Sequence, residues 1–142
     1  MNAPRRILAV DFGEKRTGLA ATDWSGTIVV PLPRIEGDEA AVIAAIVEVV
    51  RERETELVVL GMPLALDGGL GQRARRTALF RDRLQQALPC PLVTEDESHS
   101  TDEAHQRLKA GGLKASRRKQ LADSTSALVI LERYRAGRQR QP

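Results

Sequence analysis

The sequence predicts an α/β fold: a mixed five-stranded sheet, built as an antiparallel meander plus two parallel strands, with helices on both faces. Three short strand-like runs with brief turns between them open the 142-residue chain, a pattern typical of a meander. Further along, apolar strand-like runs alternate with amphipathic helical segments, which indicates parallel strands joined by β-α-β crossovers. We expect one domain over residues 1–142, long enough to bury a substantial core.

The first predicted strand leads directly into a charged residue. Its apolar run, 7–10, ends at Asp11, and Gly13 follows two residues later. A short continuous apolar run is typical of a strand buried on both faces. A carboxylate at the end of such a strand is costly unless it is paired or binds a metal. Asp11 is therefore a candidate site residue, and the alternative is an acidic residue that caps a turn.

The remaining elements follow from periodicity and from capping and turn residues. Asp38 has the character of a helix N-cap, and Ser100 with Glu103 forms a capping box. In chain order, the pattern predicts strands at 17–22 and 27–30 (the latter ended by Pro31 and Pro33), a helix from 38 to about 54, a strand at 57–60, a basic helix at about 72–88, a last strand that starts at 91–94 and continues into 95–97, a short helix between 100 and 111, and a final helix at about 116–136.

Charge is distributed unevenly along the chain. Residues 1–106 contain 12 basic and 17 acidic side chains, whereas residues 107–142 contain 10 basic and 2 acidic ones. A basic tail on an acidic body predicts a polyanionic partner, although a solvated helix face is the alternative. The sequence has one cysteine, no apolar run long enough to span a bilayer and no signal-peptide pattern, so we expect a cytoplasmic protein without a membrane partner.

Three acids occupy positions that are hard to explain structurally. Asp11 ends the first strand, Glu97 ends the last strand, and Asp123 lies within the last helix on the apolar stripe of Ala127 and Ile130. We expect them to converge at the carboxyl edge of the sheet, where a hard cation such as Mg²⁺ would relieve their mutual repulsion. Two such ions can activate water and stabilise the leaving oxygen of a phosphodiester. The alternatives are separate caps and surface acids, or Asp96 as a ligand.

The last helix begins with a cluster of cations. Arg117, Arg118 and Lys119 crowd its first turn, where the helix dipole disfavours positive charge. Phosphate groups bound at this helix end would compensate, since free N–H groups and arginines would act together. A solvated cationic turn is the alternative.

The ordered set of motifs resembles the YqgF/RuvX family, which comprises Holliday-junction-resolvase-like proteins and pre-16S rRNA nucleases with an RNase H-like fold. The resemblance rests on 7–13 with Lys15 and Arg16, on 58–64 with 67–68, on 96–97 with 101–104, and on 117–119 with Asp123 and 127–131. It implies that Asp11, Glu97 and Asp123 are the catalytic, metal-binding acids. The basic residues of these motifs, which are Lys15, Arg16, Arg117, Arg118 and Lys119, are the candidates for nucleic-acid binding.

Two positions depart from that family pattern. Ser98 stands where the family usually has arginine, and Ser124 stands where it usually has lysine. Two cations near the site are thus absent, and we expect lower phosphate affinity or turnover.

The resemblance implies a metal-dependent nuclease that uses Mg²⁺ or Mn²⁺, cleaves structured RNA and processes the 5′ end of pre-16S rRNA during ribosome biogenesis. Three alternatives remain open at this stage. The first is a DNA junction resolvase, which requires a homodimer rather than a monomer. The second is a non-catalytic nucleic-acid-binding or ribosome-assembly module. The third is a phosphotransferase of the actin/sugar-kinase type, which requires two such domains.

Overall fold

A computed structural model describes residues 4–63, 71–96 and 115–139, with the side chains of the last helix described from 124 to 137. The strands are β1 (Ile7–Asp11), β2 (Arg16–Thr22), β3 (Val29–Glu36), β4 (Leu57–Met62) and β5 (Leu92–Asp96). The helices are α1 (Glu39–Glu52), α2 (Gln72–Ala87) and α3 (Ala115–Gln139). The short helix predicted from Ser100 and Glu103 lies outside the described residues.

The five strands form one mixed sheet in the order β3-β2-β1-β4-β5. Strands β1, β2 and β3 are antiparallel neighbours, whereas β4 runs parallel to both β1 and β5. This confirms the predicted meander with two parallel strands. The carboxyl ends of β1, β4 and β5 therefore lie along one edge of the sheet, which carries Asp11, Met62 and Asp96 and is called the Asp11 edge below.

Helices cover both faces of the sheet. Leu8 and Val10 of β1 pack in a core with α1 and α2, while Ile7 and Ala9 pack in a second core with α3. Because side chains alternate along a strand, β1 is buried on both faces, and all five of its residues are buried. We call the side of the sheet that α1 and α2 cover the first-core face, and the side that α3 covers the α3 face.

The predicted helix boundaries are close to those observed. Asp38 caps α1 as expected, because its carboxylate accepts a hydrogen bond from the Ala41 N–H at 2.8 Å. In α2 the buried residues form one stripe despite the many arginines, and they are Ala74, Thr77, Phe80 and Leu84. None of the helices within the described ranges is long and apolar enough to cross a membrane.

The third strand differs from its prediction. The sequence predicts a strand at 27–30 that Pro31 and Pro33 terminate, but β3 continues through both prolines to Glu36. Proline lacks the N–H with which a central strand bonds to its neighbours. An edge strand tolerates proline because one of its sides has no neighbouring strand and needs no hydrogen-bond donor. Strand β3 is at the edge of the sheet, and its register with β2 shifts between Leu32 and Ile35. Both features accommodate the prolines.

Candidate active site

Asp11 is the last residue of β1 and is only 8% exposed. The alternation that sends Ile7 and Ala9 to the α3 face places Asp11 on that same face. The turn after it requires glycine, because a Cβ on Gly13 would overlap the backbone carbonyl of Arg16. The tight turn holds Asp11 opposite Gly18 of β2, so the carboxylate is mounted on rigid backbone.

Arg73 places a cation beside Asp11. Its Nη2 lies 3.9 Å from the Asp11 Oδ1, although the arginine side chain itself is 61% exposed. Arg73 is in the first turn of α2, a turn with no acidic residue and with Gly71 as a cap that makes no side-chain hydrogen bond. Arg73 is not among the site residues predicted from the sequence. The sequence did contain one indication of its role: Arg73 is at the start of the helix that follows β4, and β4 is parallel to β1.

The register of β5 separates its neighbouring acids. Leu92 packs against the first core and Val93 against the second, so alternation along β5 places Glu95 on the α3 face and Asp96 on the first-core face. Asp96 is thus on the opposite face of the sheet from Asp11. This disfavours Asp96 as a ligand that shares a cation with Asp11, whereas Glu97 itself lies outside the described residues.

Along β3 and β2, helix α3 runs from the Asp11 edge towards the turn between β2 and β3, while its Arg133 donates a hydrogen bond of 3.4 Å to the backbone carbonyl of Asp96 at the end of β5. Near its middle, the Ser124 Oγ donates a hydrogen bond of 2.6 Å to the backbone carbonyl of Leu32, a residue paired with Leu19, which in turn pairs with Val10. Near its end, Arg135 donates to the carbonyls of Gly26 and Thr27 in the turn between β2 and β3.

These contacts place the backbone of Asp123 in the part of α3 that is level with the Asp11 edge. Asp123 lies one helical turn before Ala127, which is fully buried. Its side chain is outside the described part of the chain.

The predicted nucleic-acid contacts fall near the same edge. Lys15 is exposed in the turn between β1 and β2, and Arg16 is half-buried at the start of β2. Arg117, Arg118 and Lys119 belong to the beginning of α3, which precedes the segment level with Asp11. Their side chains lie outside the described residues, so their role stays a prediction.

The predicted metal site is only partly within the described structure. Of its three ligands, the Asp11 side chain alone is described, and no group of three metal-ligating side chains occurs among the described residues. The donor chemistry fits the expected cation, because a nearly buried carboxylate at the carboxyl edge of parallel strands supplies the oxygen ligands that Mg²⁺ and Mn²⁺ prefer. The assignment of the three acids remains a prediction.

A family model described as "RuvX: Holliday junction resolvase" matches residues 5–136 of this chain. The chain belongs to the RuvX family. The sequence resemblance to this family is thereby confirmed, and the expected enzyme class, a hydrolase of phosphodiester bonds, agrees with the family description.

Individual members of the RuvX family resemble the chain over nearly its whole length. A protein of Synechococcus elongatus named "Putative pre-16S rRNA nuclease" is 38% identical over 136 residues, which cover 95% of this chain and 91% of that protein. A protein of Chloroflexus aurantiacus with the same name is 38% identical over 137 residues, covering 96% of this chain and 90% of that protein. The matched region therefore spans most of this chain and most of each relative.

Solved structures support the fold of this RuvX protein. Thermus thermophilus RuvC, solved in complex with a Holliday junction substrate, superposes with a TM-score of 0.55 at 16% sequence identity, covering 93% of this chain and 96% of RuvC. Thermus thermophilus RuvC in a second structure gives the same TM-score, identity and coverage. The predicted RNase H-like fold is confirmed by this likeness.

Proposed function

We propose that this RuvX protein is a metal-dependent nuclease that processes the 5′ end of pre-16S rRNA. One observation carries the proposal: Asp11 is a nearly buried carboxylate at the carboxyl end of β1, on the face covered by α3. Open α/β sheets bind ligands at the carboxyl ends of their strands. An acid that only caps a turn can remain at the surface, so capping alone does not explain why Asp11 is nearly buried.

Asp11, Glu97 and Asp123 would hold Mg²⁺ or Mn²⁺ in this proposal. When bound, two such ions would supply an activated water and stabilise the leaving oxygen, giving 5′-phosphate and 3′-hydroxyl products. The register of β5 counts against Asp96, whose side chain lies on the first-core face away from Asp11, and Glu97 enters the proposal through the family resemblance. The chain contributes fixed positions: Asp11 is held by its pairing with Gly18 of β2, and the backbone of Asp123 by the packing of α3.

The basic residues near the Asp11 edge would bind the substrate backbone. Lys15 and Arg16 flank the turn beside Asp11, and Arg117, Arg118 and Lys119 open the helix that carries Asp123. Phosphate contacts of this kind fix the position of a nucleic acid without reading its sequence. Arg73, whose Nη2 lies 3.9 Å from the Asp11 Oδ1, would supply a further cation at the site.

The name shared by the relatives supports pre-16S rRNA as the substrate, and hence a role in ribosome biogenesis in the cytoplasm. We assign the whole chain, residues 1–142, to one nuclease domain that acts as a monomer or a homodimer. The family description and the RuvC fold favour a second candidate, a DNA Holliday-junction resolvase. That activity needs two sites presented by a dimer.

The decisive experiment is cleavage of a pre-16S rRNA transcript by the purified chain with Mg²⁺ or Mn²⁺, compared with a four-way DNA junction. We expect cleavage of the RNA near the mature 5′ end, loss of cleavage in EDTA, and a loss of about 100-fold or more in Asp11→Asn, because removing a direct metal ligand should cost more than the roughly 10–100-fold lost when an outer-shell partner of a ligand is removed. Asp38→Asn is the matched control, because Asp38 is an exposed helix cap.

Each other outcome has a defined meaning. Cleavage of the junction alone would favour the resolvase. Equal cleavage by Asp11→Asn and by the wild type would contradict the assignment of Asp11. Tight, metal-independent binding of RNA without any cleavage would favour a non-catalytic assembly module.

A further inference from the structure

A cavity of about 500 Å³ opens on the other side of the Asp11 edge, on the first-core face. It lies between the turn that follows β1, the junction of β3 with α1, and the first turns of α2. Its wall includes Phe12, Glu14, Glu39, Arg73, Arg76 and Thr77. The volume is within the range of about 300–1,000 Å³ typical of small-molecule sites.

Phe12 gives this cavity an aromatic wall. One side of its ring stacks on Phe80, with ring centroids 3.9 Å apart and planes inclined by 8°. Phe80 is fully buried, whereas Phe12 is only partly buried and lines the cavity. The accessible part of the Phe12 ring is therefore directed into the cavity. A partly exposed aromatic ring of this kind offers a stacking surface for a base.

The charges around the cavity suit a nucleoside better than a bare phosphate. Arg76 forms an ion pair with Glu14 across the cavity mouth, and Glu39 pairs with Arg83 at 2.9 Å. Balanced charges would bind an isolated anion weakly. Carboxylates can instead accept hydrogen bonds from base amino groups and from a ribose 2′-hydroxyl, while arginine contacts the adjoining phosphate.

Arg73 connects this cavity with the candidate active site. It lines the cavity and also lies 3.9 Å from the Asp11 Oδ1. A chain of nucleotides with its scissile phosphate at Asp11 would therefore reach the cavity with its next residue.

We propose that this cavity is the subsite for the RNA nucleoside adjacent to the scissile phosphate, with its base stacked on Phe12. The proposal rests on the nuclease function proposed above. In it, Glu14 and Glu39 accept hydrogen bonds from the nucleoside, and Arg76 contacts the neighbouring phosphate. The subsite would thus select an unpaired nucleotide, since a base within a duplex cannot enter a pocket.

The test uses a single-stranded RNA pentamer that carries one 2-aminopurine, titrated with the full chain in EDTA so that no cleavage occurs. We expect the 2-aminopurine fluorescence to be quenched in the complex. Phe12→Leu should abolish the quenching and weaken binding about five-fold or more, the lower end of the effect of losing base–aromatic stacking. Arg76→Gln should weaken binding more than Arg75→Gln, a matched change at an exposed arginine of α2 that does not line the cavity.

Unchanged quenching and affinity in Phe12→Leu would overturn the subsite, as would equal weakening by Arg76→Gln and Arg75→Gln. If the thermal melt shows that Phe12→Leu is unfolded, the arginine pair decides alone. Cleavage of pre-16S rRNA with Mn²⁺ is measured on the same protein samples. Intact cleavage with a failed pentamer test rejects only the subsite. Absent wild-type cleavage with the predicted pentamer behaviour rejects the nuclease and leaves the cavity as a site that binds an unpaired nucleoside, without a scissile phosphate beside it.

Discussion

The hydroxyl of Ser124 donates a 2.6 Å hydrogen bond to the backbone carbonyl of Leu32, joining α3 to the edge strand β3. Ser124 is 5% exposed and directly follows Asp123 in the helix. The family comparison alone suggests a missing cation at this position, with a side chain that could reach the rim of the site. In this chain the position is buried against β3, so Ser124 serves to fix the part of α3 that carries Asp123.

Replacement of Ser124 tests this role. Ser124→Ala should lower the free energy of unfolding by about 1 kcal/mol, the usual net value of a neutral hydrogen bond. Ser124→Lys should be more destabilising, because it places an ammonium group in a buried position, and it should not improve RNA binding. Urea denaturation and RNA affinity at several salt concentrations measure both effects. A Ser124→Lys protein of wild-type stability and higher affinity would show that the side chain reaches solvent and phosphate.

Gly13 is predicted to be indispensable for the turn after Asp11. Gly13→Ala should destabilise the protein by about 1–3 kcal/mol, as over-packing does, because the added methyl group overlaps the Arg16 carbonyl. Gly137→Ala is the control: nothing lies within 4 Å of a Cβ there, and alanine is favoured over glycine in a helix by up to about 1 kcal/mol. Opposite shifts in the melting temperature are expected. Equal shifts would mean that the turn relaxes freely.

The basic start of α3 is predicted to contact phosphates. The double variant Arg117→Ala and Arg118→Ala should weaken binding of RNA and DNA alike. It should also flatten the plot of log affinity against log salt by about 1.4–1.8 units, since each phosphate contact contributes about 0.7–0.9. Arg51→Ala with Arg53→Ala removes the same charge at the far end of α1 and should leave the slope unchanged. Equal slopes for both double variants would indicate a solvated helix turn.

Asp96, the last residue of β5, and the next residue in the sequence, Glu97, are predicted to differ sharply in importance for cleavage. Glu97→Gln should abolish metal-dependent cleavage, whereas Asp96→Asn should retain most of it, because alternation along β5 places Asp96 on the face away from Asp11. Single-turnover rates at a fixed Mn²⁺ concentration compare the two, and circular dichroism verifies that both variants fold. The reverse order of activities would assign the metal to Asp96.

Much of the fold was predictable because it depends on local patterns. The apolar run of β1, the Asp38 cap and the stripe of Ala127 and Ile130 each correspond to an observed element. The extent of β3 was not predictable, because only its place at the edge of the sheet allows prolines within it. Asp11 could be predicted as a site residue because a charged side chain at the end of a buried strand costs free energy unless it is paired or binds a metal.

Arg73 and the cavity beside Phe12 were not found from the sequence. They depend on how α2 packs across the edge of the sheet from a turn about 60 residues earlier, and no periodicity within a single element reports such packing. The hydrogen bond of Ser124 was not predictable for the same reason, since its partner Leu32 is distant in sequence.

The most direct test of the proposed metal site is a crystal of the chain soaked in Mn²⁺, with anomalous scattering used to locate the metal. The account predicts an anomalous peak at the Asp11 edge, about 2.0–2.3 Å from carboxylate oxygens of Asp11, Glu97 and Asp123, as expected for hard oxygen ligands of a small dication. The peak should disappear in Asp11→Asn crystals soaked identically. A peak that does not involve Asp11, or one that persists unchanged in the Asp11→Asn protein, would contradict the account.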